Sequence, residues 1–380
     1  MTELPLFPVT TVGTWPRSPD LQGAQRELSY GRMTRAEFDR VADRDVEQVI
    51  QLQEEAGCDL VTDGELRRDN FYSFVSQKLA GVRLMTLAEM LDVVEDKAGF
   101  ERLLQTLDVP AYAISTPVCV GRLERLEPLV LDDFRFTRLH TTRAVKVTLP
   151  GPYLLMRAMF VPEVTREVYD TKEALADAVV RLLRDEVASL AAAGADFVQL
   201  DEPVLSELAF SPGNTRTFMC AALAARRDPA EELALAVSLI NRVVEDMPVR
   251  IGVHVCRGNW SRDESTLLRG SYAALAPYLE QINAAQLVLE YATARAGELL
   301  AFGSKEIGLG VVNPRTDTVE TPDEICAAVE RAQALYPDDR IFLNPDCGFG
   351  TFSRRPINSE AIALAKIRSM ASAARMLRQA

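Results

Sequence analysis

The sequence predicts an α/β fold, specifically a (β/α)8 TIM barrel, from two observations. Short apolar runs rich in β-branched residues alternate with longer segments of helical periodicity, and the alternation occurs eight times. Each short run also ends in polar residues, as expected where the parallel strands of a barrel reach its catalytic end. An open doubly wound sheet is the alternative, but no GxGxxG sequence follows the first run, so a dinucleotide site is unsupported. We therefore predict that residues 1–380 form one barrel domain.

The eight strands are assigned to runs that are short, apolar and closed by polar residues. They cover residues 10–14, 59–65, 145–152, 196–203, 250–256, 286–291, 307–313 and 340–347.

Helix starts between these strands carry recognisable caps. Thr34 stands three residues before Glu37, which is the spacing of a capping box. Thr321, Pro322 and Glu324 combine a cap, a proline at the first helical position and the same spacing. Another helix is expected to begin at the "DTKE" sequence, and a long amphipathic helix closes the chain.

One connection is too long for a simple barrel. About residues 66–143 separate the second strand from the third. They contain a helical stretch, "LAEMLDVVED", and a hairpin-like stretch, "VCVGRLERLEPLVL". We predict that this segment is a helical and hairpin insertion that decorates the barrel.

Charge and cysteine usage exclude several classes of protein. The formal net charge of -13 argues against a nucleic acid or an anionic membrane surface as partner. The first residues lack the pattern of a secretory signal, and no apolar run approaches the ~18 residues of a membrane span. The six cysteines are dispersed without a CxxC pair. We therefore expect a cytoplasmic protein with reduced thiols.

The predicted strand ends are rich in acidic and metal-ligating side chains. His254 and Cys256 are two apart on one strand, so both point to the same face. Taken alone, this pair is also compatible with two satisfied core residues. The polar residues at the strand ends are Glu65, Asp201, Glu202, His254, Cys256, Glu290, Asn313, Asp346 and Cys347.

Glu290 and Cys347 turn the pair into a predicted metal site, because they end two further strands. Two thiolates and an imidazole favour Zn²⁺ over magnesium or calcium. Ligands from three distant strands argue against a local structural zinc knuckle, although a non-catalytic storage or structural zinc stays an alternative. A zinc surrounded by this much negative charge activates water poorly, but it can still deprotonate a bound thiol. The site is therefore expected to attack an electrophilic carbon with sulfur.

These residues also carry a family resemblance over nearly the whole chain. The matching pieces, in order, are "TTVGTWPR", "DGELRRDN", "LPGP", "VQLDEP", "HVC", "LVLE" and "NPDCG". With this order and spacing, the chain resembles the catalytic barrel of cobalamin-independent methionine synthase. The resemblance implies zinc held by His254, Cys256, Glu290 and Cys347, with Glu290 giving way to the incoming sulfur.

The resemblance further implies a pocket for homocysteine, whose methylation gives methionine. Glu65 and Asp201 match the carboxylates that hold the substrate ammonium. The backbone of Val12, Gly13 and Thr14 matches the segment that holds its carboxylate. Glu65 and Asp201 could instead be a helix cap or members of loop salt bridges.

Two departures from the family pattern concern the methyl donor and the residue that acts as general acid. The long members carry an extra N-terminal barrel that helps to bind a folate donor. This chain resembles the short members, which consist of the core barrel. That resemblance implies a methylated corrinoid or corrinoid protein as the methyl donor. The long members also have a histidine that acts as a general acid, in an "HSPR"-like loop. The corresponding stretch of this chain is "VVNPRTD", which contains Asn313. Asp317 or Tyr291 is an alternative proton source, and His140 is expected to be structural.

A related branch keeps a similar zinc but changes both substrates. The epoxyalkane:coenzyme M transferases add 2-mercaptoethanesulfonate (coenzyme M) to an epoxide. A sulfonate favours an arginine fork, and Arg257 directly follows Cys256. The arginines near predicted strand ends are Arg17, Arg67, Arg68, Arg257 and Arg315. The paired acids Glu65 and Asp201 favour the ammonium of homocysteine, and coenzyme M is kept as the alternative thiol.

Overall fold

A seven-stranded parallel sheet forms the centre of the fold. The structure, a computed structural model, describes residues 3–93, 97–98, 115–210, 228–259, 261–262, 268–350 and 357–379. Within these ranges the sheet order is β1-β4-β5-β6-β7-β8-β9, and every neighbouring pair is parallel. The strands are β1 Leu60–Val61, β4 Ala144–Pro150, β5 Phe197–Asp201, β6 Arg250–Val255, β7 Gln286–Leu289, β8 Glu306–Val312 and β9 Ile341–Pro345.

A short N-terminal segment joins the two edges of this sheet and closes the barrel. Val9 forms a parallel bridge to Leu343 of β9, and Thr10 forms one to Leu60 of β1. The predicted TIM barrel is therefore confirmed.

The first predicted strand is wrong in extent, because residues 11–14 belong to no strand. The carbonyl groups of residues 11–13 accept hydrogen bonds from buried side chains instead of from a neighbouring strand. Thr62 Oγ1 donates to the carbonyl of Gly13, and Gln199 Nε2 donates to that of Val12.

Helices surround the sheet on its outer side. The C-terminal helix packs against both the second helix and the helix before it, so the helical layer also closes. The capping boxes predicted at Thr34–Glu37 and Thr321–Glu324 are both present. In the described ranges, no helix has the length and apolar character needed to cross a bilayer. The helices are α1 Pro19–Ser29, α2 Arg35–Ala56, α3 Leu87–Val93, α4 Leu131–Leu139, α5 Pro152–Met159, α6 Pro162–Thr165, α7 Lys172–Ala192, α8 Val204–Phe210, α9 Pro229–Val244, α10 Ala276–Leu279, α11 Pro322–Gln333 and α12 Glu360–Leu377.

The long connection between β1 and β4 contains an antiparallel ribbon. Its strands are β2 Leu79–Thr86 and β3 Ser115–Arg125, with α3 after β2 and α4 after β3. The predicted hairpin within residues 118–131 is wrong, because the first half of that stretch pairs with β2 and the last residue opens α4. Residues 94–96 at the end of the predicted helix lie outside the described residues.

Candidate metal centre and adjoining pocket

Three sulfur and nitrogen ligands meet at the carboxyl end of the barrel. His254 is the penultimate residue of β6, Cys256 follows β6 directly, and Cys347 is the second residue after β9. One ligand atom from each of the three lies within 4.8 Å of the other two. The period of a strand brings the first two together, and the meeting of parallel strand ends adds the third. The structure thus places a possible His/Cys metal-binding group where the sequence predicted one.

The histidine is oriented as a metal-ligating histidine should be. Nδ1 of His254 lies 2.9 Å from Oδ1 of Asp201, and both residues are buried. Buried Nε2 has no hydrogen-bond partner in the described part of the chain. Burial lowers the pKa of His254, but the hydrogen bond to Asp201 and the nearby Cys256 outweigh it and raise the pKa to about 9. A bound cation would take the place of that proton, so the residues fit a metal.

The thiols of Cys256 and Cys347 influence each other's ionisation. The hydrogen bond from Cys347 lowers the pKa of Cys256, and the same bond together with burial raises the pKa of Cys347. Cys256 is buried and Cys347 is half-buried, and two such adjacent thiols do not both ionise readily unless a positive charge compensates them. The donor set therefore suits a soft divalent metal that binds thiolates.

Glu290 lies beside this group, but protein donors hold its carboxylate. Oε1 accepts a hydrogen bond from the backbone N–H of Arg257 at 2.6 Å and one from Asn259 Nδ2. Oε2 accepts from Nη2 of Arg295 at 2.6 Å. Among the described residues, Glu290 is not part of the three-residue ligand group. Its role as a fourth ligand stays a prediction.

The sequence predicted Glu65 as an ammonium-binding carboxylate, and the structure leaves one of its oxygens unused. Glu65 sits in a turn after β1 with φ 55°, in the left-handed region. Oε1 accepts from Thr148 Oγ1 at 2.7 Å, whereas buried Oε2 has no partner within the described ranges. Burial raises the pKa of Glu65, and Asp201 contributes in the same direction. An unpartnered buried carboxylate oxygen is a place for a cationic group.

Gly13 allows the Glu65 carboxylate to lie against the N-terminal segment. A Cβ atom at Gly13 would sit 2.3 Å from Oε1 of Glu65. Val12 and Thr14 flank this glycine and are buried. The three predicted carboxylate-binding residues therefore adjoin the predicted ammonium-binding residue.

A chain of hydrogen bonds inside the barrel supports Asp201 from below. Lys146 Nζ donates to the carbonyl of Thr11 and lies 3.3 Å from Oε1 of Gln199. Gln199 Nε2 donates to Oδ1 of Asp201 at 2.8 Å, the same oxygen that contacts His254. Burial lowers the pKa of Lys146 to about 7. The chain links the N-terminal segment to the metal group.

Glu202 has a structural role at the same strand end. Its two oxygens accept the backbone N–H groups of Tyr153 and Leu154 at 2.8 and 3.0 Å, at the start of α5. A Cβ atom at Gly151 would lie 2.2 Å from this carboxylate, which explains why a glycine stands in the "LPGP" sequence. Burial raises the pKa of Glu202 to about 8.

Asn313, which replaces the family histidine, the alternative proton sources Asp317 and Tyr291, and the predicted structural residue His140 occupy different surroundings. The side-chain oxygen of Asn313 accepts the N–H of Arg315 and so shapes the turn after β8. Asp317 forms an exposed ion pair with Arg262. The buried hydroxyl of Tyr291 has no partner in the described structure, and burial raises its pKa to about 12. His140 stacks on Phe136 at the end of α4, in keeping with a structural role.

All five arginines considered for a sulfonate have partners within the protein itself. Arg17 donates to the carbonyls of Glu65 and Arg68, and Arg68 donates to Thr148. Arg67 pairs with Asp43.

The other two arginines lie near Glu290. Arg257 is fully buried, with its guanidinium 4.0 Å from the ring centre of Tyr272 and 4.8 Å from that of Phe210. Arg315 Nε donates to Asn259 Oδ1. The sequence therefore pointed to Arg257 and Arg315, but it did not show which side chains they contact.

The fold and the site together define a TIM-barrel protein with a possible histidine–cysteine metal-binding group. The family model described as "Cobalamin-independent synthase, Catalytic domain" matches residues 7–376. The chain belongs to this family, as its motifs predicted.

Relatives and solved structures agree with this assignment. A methionine synthase from Thermococcus kodakarensis is 30% identical over 358 residues, which cover 93% of this chain and 90% of that protein. A methionine synthase from Pyrococcus abyssi is 28% identical and covers 99% of this chain and 94% of its own length. The structure of a B12-independent methionine synthase from a Shewanella species, in complex with selenomethionine, superposes with a TM-score of 0.73 at 21% identity. That superposition covers 99% of this chain and 98% of the Shewanella chain, and it supports the fold.

Proposed function

We propose that this protein is a zinc-dependent methyltransferase that converts homocysteine to methionine. The observation that carries the proposal is the convergence of His254, Cys256 and Cys347, with Nε2 of the histidine left for a metal by the Asp201 contact. The methionine synthases among its relatives match this chain over nearly its whole length. The chemistry and the relatives therefore support the same reaction.

Zinc is the metal that this donor set favours. Two thiolates and an imidazole are soft and borderline ligands, which Zn²⁺ binds at tetrahedral sites. When bound, zinc would lower the pKa of a coordinating thiol enough to make it a thiolate near neutral pH. The residues of the chain then have to orient the rest of the substrate.

We assign the amino-acid part of homocysteine to the neighbouring acids. The free Oε2 of Glu65 and the Asp201 carboxylate offer an anionic site for the ammonium group. The backbone of Val12, Gly13 and Thr14 is proposed to hold the carboxylate group. Thr148 and Arg68 keep Glu65 in place, since Thr148 donates to its Oε1 and Arg68 lies 3.9 Å away. The unused oxygen of Glu65 favours an amino thiol over a sulfonate thiol.

The reaction is a displacement at the methyl carbon. The homocysteine sulfur attacks in line, a sulfur–carbon bond forms, and the bond from methyl to the donor breaks with its electron pair remaining on the donor. The thiol proton passes to solvent. We propose a methylated corrinoid, free or protein-bound, as donor, on the resemblance to the core members of the family.

The test is a methyl-transfer assay with two donors and two thiols. Zinc-loaded protein is incubated with methylcobalamin or 5-methyltetrahydrofolate, each with homocysteine or 2-mercaptoethanesulfonate. We expect methionine from methylcobalamin and homocysteine, and loss of the product with Cys347→Ala. Methylation of the sulfonate alone would contradict the homocysteine assignment. Full activity of Cys347→Ala would contradict the metal–thiolate site itself.

A further inference from the structure

A cleft of about 400 Å³ lies on the outer side of the barrel, between the antiparallel ribbon and α7. None of the residues that line it belongs to the candidate metal group or to its adjoining pocket. Two of them are arginines, Arg122 of β3 and Arg181 of α7. We propose that this cleft is a second binding site, which takes a small organic oxyanion. Its charged group would lie between the two arginines, and its apolar part against the apolar lining of the cleft.

A large bulge in the ribbon builds one wall of the cleft. The register of the ribbon jumps between Ala80 and Val82, so that residues 120–123 of β3 stand opposite the single residue Gly81. Gly81 has φ 76°, and a Cβ atom there would lie 2.3 Å from the carbonyl oxygen of Arg122. The bulge therefore requires a glycine at this position, and it carries Arg122 out of the regular ladder.

A tyrosine fixes the bulge to the rest of the fold. The N–H of Leu123 donates to Oη of Tyr169 at 3.1 Å. Tyr169 follows α6 and itself lines the cleft, so the bulge and the neighbouring wall are joined. Within the described ranges, the hydroxyl proton of Tyr169 has no acceptor. A hydroxyl group that accepts one hydrogen bond can still donate another, so Tyr169 is placed to donate to a bound oxyanion.

The charges around the cleft favour an anion. In the part of the chain that the structure describes, no acidic side chain pairs with Arg122 or Arg181. Asp177 lines the same cleft, but its carboxylate pairs with Nη2 of Arg242 at 2.8 Å. The two arginines therefore give the cleft a local positive charge on a chain whose net charge is -13. Guanidinium groups match the paired oxygens of a carboxylate or a phosphate.

The other lining residues are apolar. Leu123, Val168 and Ala174 contribute this surface, and Val168 is 37% exposed. Ala174 lies three residues before Asp177 and seven before Arg181, so all three share one face of α7. An apolar surface beside two charged donors suits a ligand that has an apolar body and one anionic group.

Calorimetric titration of the full chain with four probes tests this site. The probes are phenyl phosphate, benzoate, inorganic phosphate and benzyl alcohol. We expect the tighter of the first two to bind at least about tenfold more tightly than inorganic phosphate, because its ring adds an apolar contact. Benzyl alcohol should not bind, because it lacks the charge. The comparison of phenyl phosphate with benzoate shows whether the site prefers a phosphate or a carboxylate.

Four variants locate the binding in the cleft. Arg122→Gln and Arg181→Gln should each weaken the tighter probe by about tenfold, since each removes a charge-assisted hydrogen bond. Ala174→Leu keeps both charges and should weaken the probe by a similar factor, because the larger side chain fills the cleft. Arg40→Gln removes an exposed arginine of α2 and is the matched control, which should bind as the wild type does. Circular dichroism checks that each variant is folded.

Wild-type affinity in the double variant Arg122→Gln/Arg181→Gln, or in Ala174→Leu, would overturn the proposal. Failure of both phenyl phosphate and benzoate to bind the wild type would overturn it as well. A tetra-aspartate peptide that binds at these arginines when neither probe does would assign the surface to an acidic protein segment, which contradicts a small-molecule site. None of the probes is a thiol or a methyl donor, so each of these results leaves the proposed methyl transfer untouched.

Discussion

Asp201 and His254 share a buried hydrogen bond of 2.9 Å between Oδ1 and Nδ1, across the neighbouring ends of β5 and β6. The parallel register places the two residues side by side, so the contact follows directly from the pairing of the strands. Such a carboxylate fixes the tautomer and the ring orientation of a metal-ligating histidine. Asp201 is therefore assigned two tasks, to orient His254 and to attract the substrate ammonium.

Replacement of Asp201 should weaken metal binding. For Asp201→Ala we expect zinc affinity to fall by about 10- to 100-fold, because the imidazole loses its orienting partner. Asp201→Asn retains an oxygen acceptor and should lose less. Chelator competition measures both variants, with Asp317→Asn in the exposed Arg262 ion pair as control. Wild-type zinc affinity in Asp201→Ala would show that the contact does not orient the ligand.

Glu65→Gln tests the assignment of the ammonium site. The change keeps an acceptor for Thr148 but removes the charge that attracts the ammonium group. We expect kcat/KM for homocysteine to fall by roughly 10- to 100-fold, as for a hydrogen bond to a charged group. Steady-state kinetics with 4-mercaptobutanoate, which lacks the amino group, provide the comparison. An equal loss for both thiols would mean that Glu65 does not recognise the ammonium.

Lys146→Met interrupts the hydrogen-bond chain beneath the site. It removes the contacts with the Thr11 carbonyl and with Gln199, which in turn holds Asp201. We expect the KM for homocysteine to rise by roughly tenfold, because the N-terminal segment and Asp201 lose a shared anchor. Lys97→Met, which removes an exposed lysine, is the matched control. Equal kinetics in the two variants would contradict a positioning role for Lys146.

Because the pKa of Glu202 is raised, we expect the stability of the protein to fall as the pH rises. Burial raises its pKa in the folded state from 4.5 to about 8, so the folded protein keeps a proton that the unfolded chain releases. The stabilisation by this group is complete below the unfolded pKa and is lost as the pH rises through about 8. The free energy of unfolding of the wild type should therefore fall relative to Glu202→Gln, by roughly 1.4 kcal/mol per pH unit at most.

Urea unfolding of metal-free protein between about pH 5 and about pH 9 checks this slope. The informative quantity is the difference between wild type and Glu202→Gln at each pH, since other titrating groups contribute to both. A difference that stays constant across this range would contradict the raised pKa.

The metal group could be predicted because it follows from simple periodicities. A strand places residues two apart on one face, which aligned His254 with Cys256. Parallel strands in a barrel end at one face, which brought in Cys347 from far along the chain. Capping boxes at Thr34 and Thr321 followed in the same way from local spacing.

The supporting interactions could not be predicted from these patterns. Asn259 and Arg295 lie in connections without periodicity, so nothing in the sequence shows that they reach Glu290. Lys146 and Gln199 lie on strands that are buried on both faces, where the pattern of burial does not show which side points into the barrel. Long-range pairing likewise decided the partner of β3, where the sequence predicted a hairpin within residues 118–131 instead.

The proposed reaction requires that the homocysteine sulfur joins a metal held by His254, Cys256 and Cys347. Zinc K-edge X-ray absorption of the loaded protein, with and without homocysteine, measures the number of sulfur neighbours directly. We expect two sulfur ligands at about 2.3 Å in the free protein and three after homocysteine is added. A count that does not change on adding saturating homocysteine would contradict it.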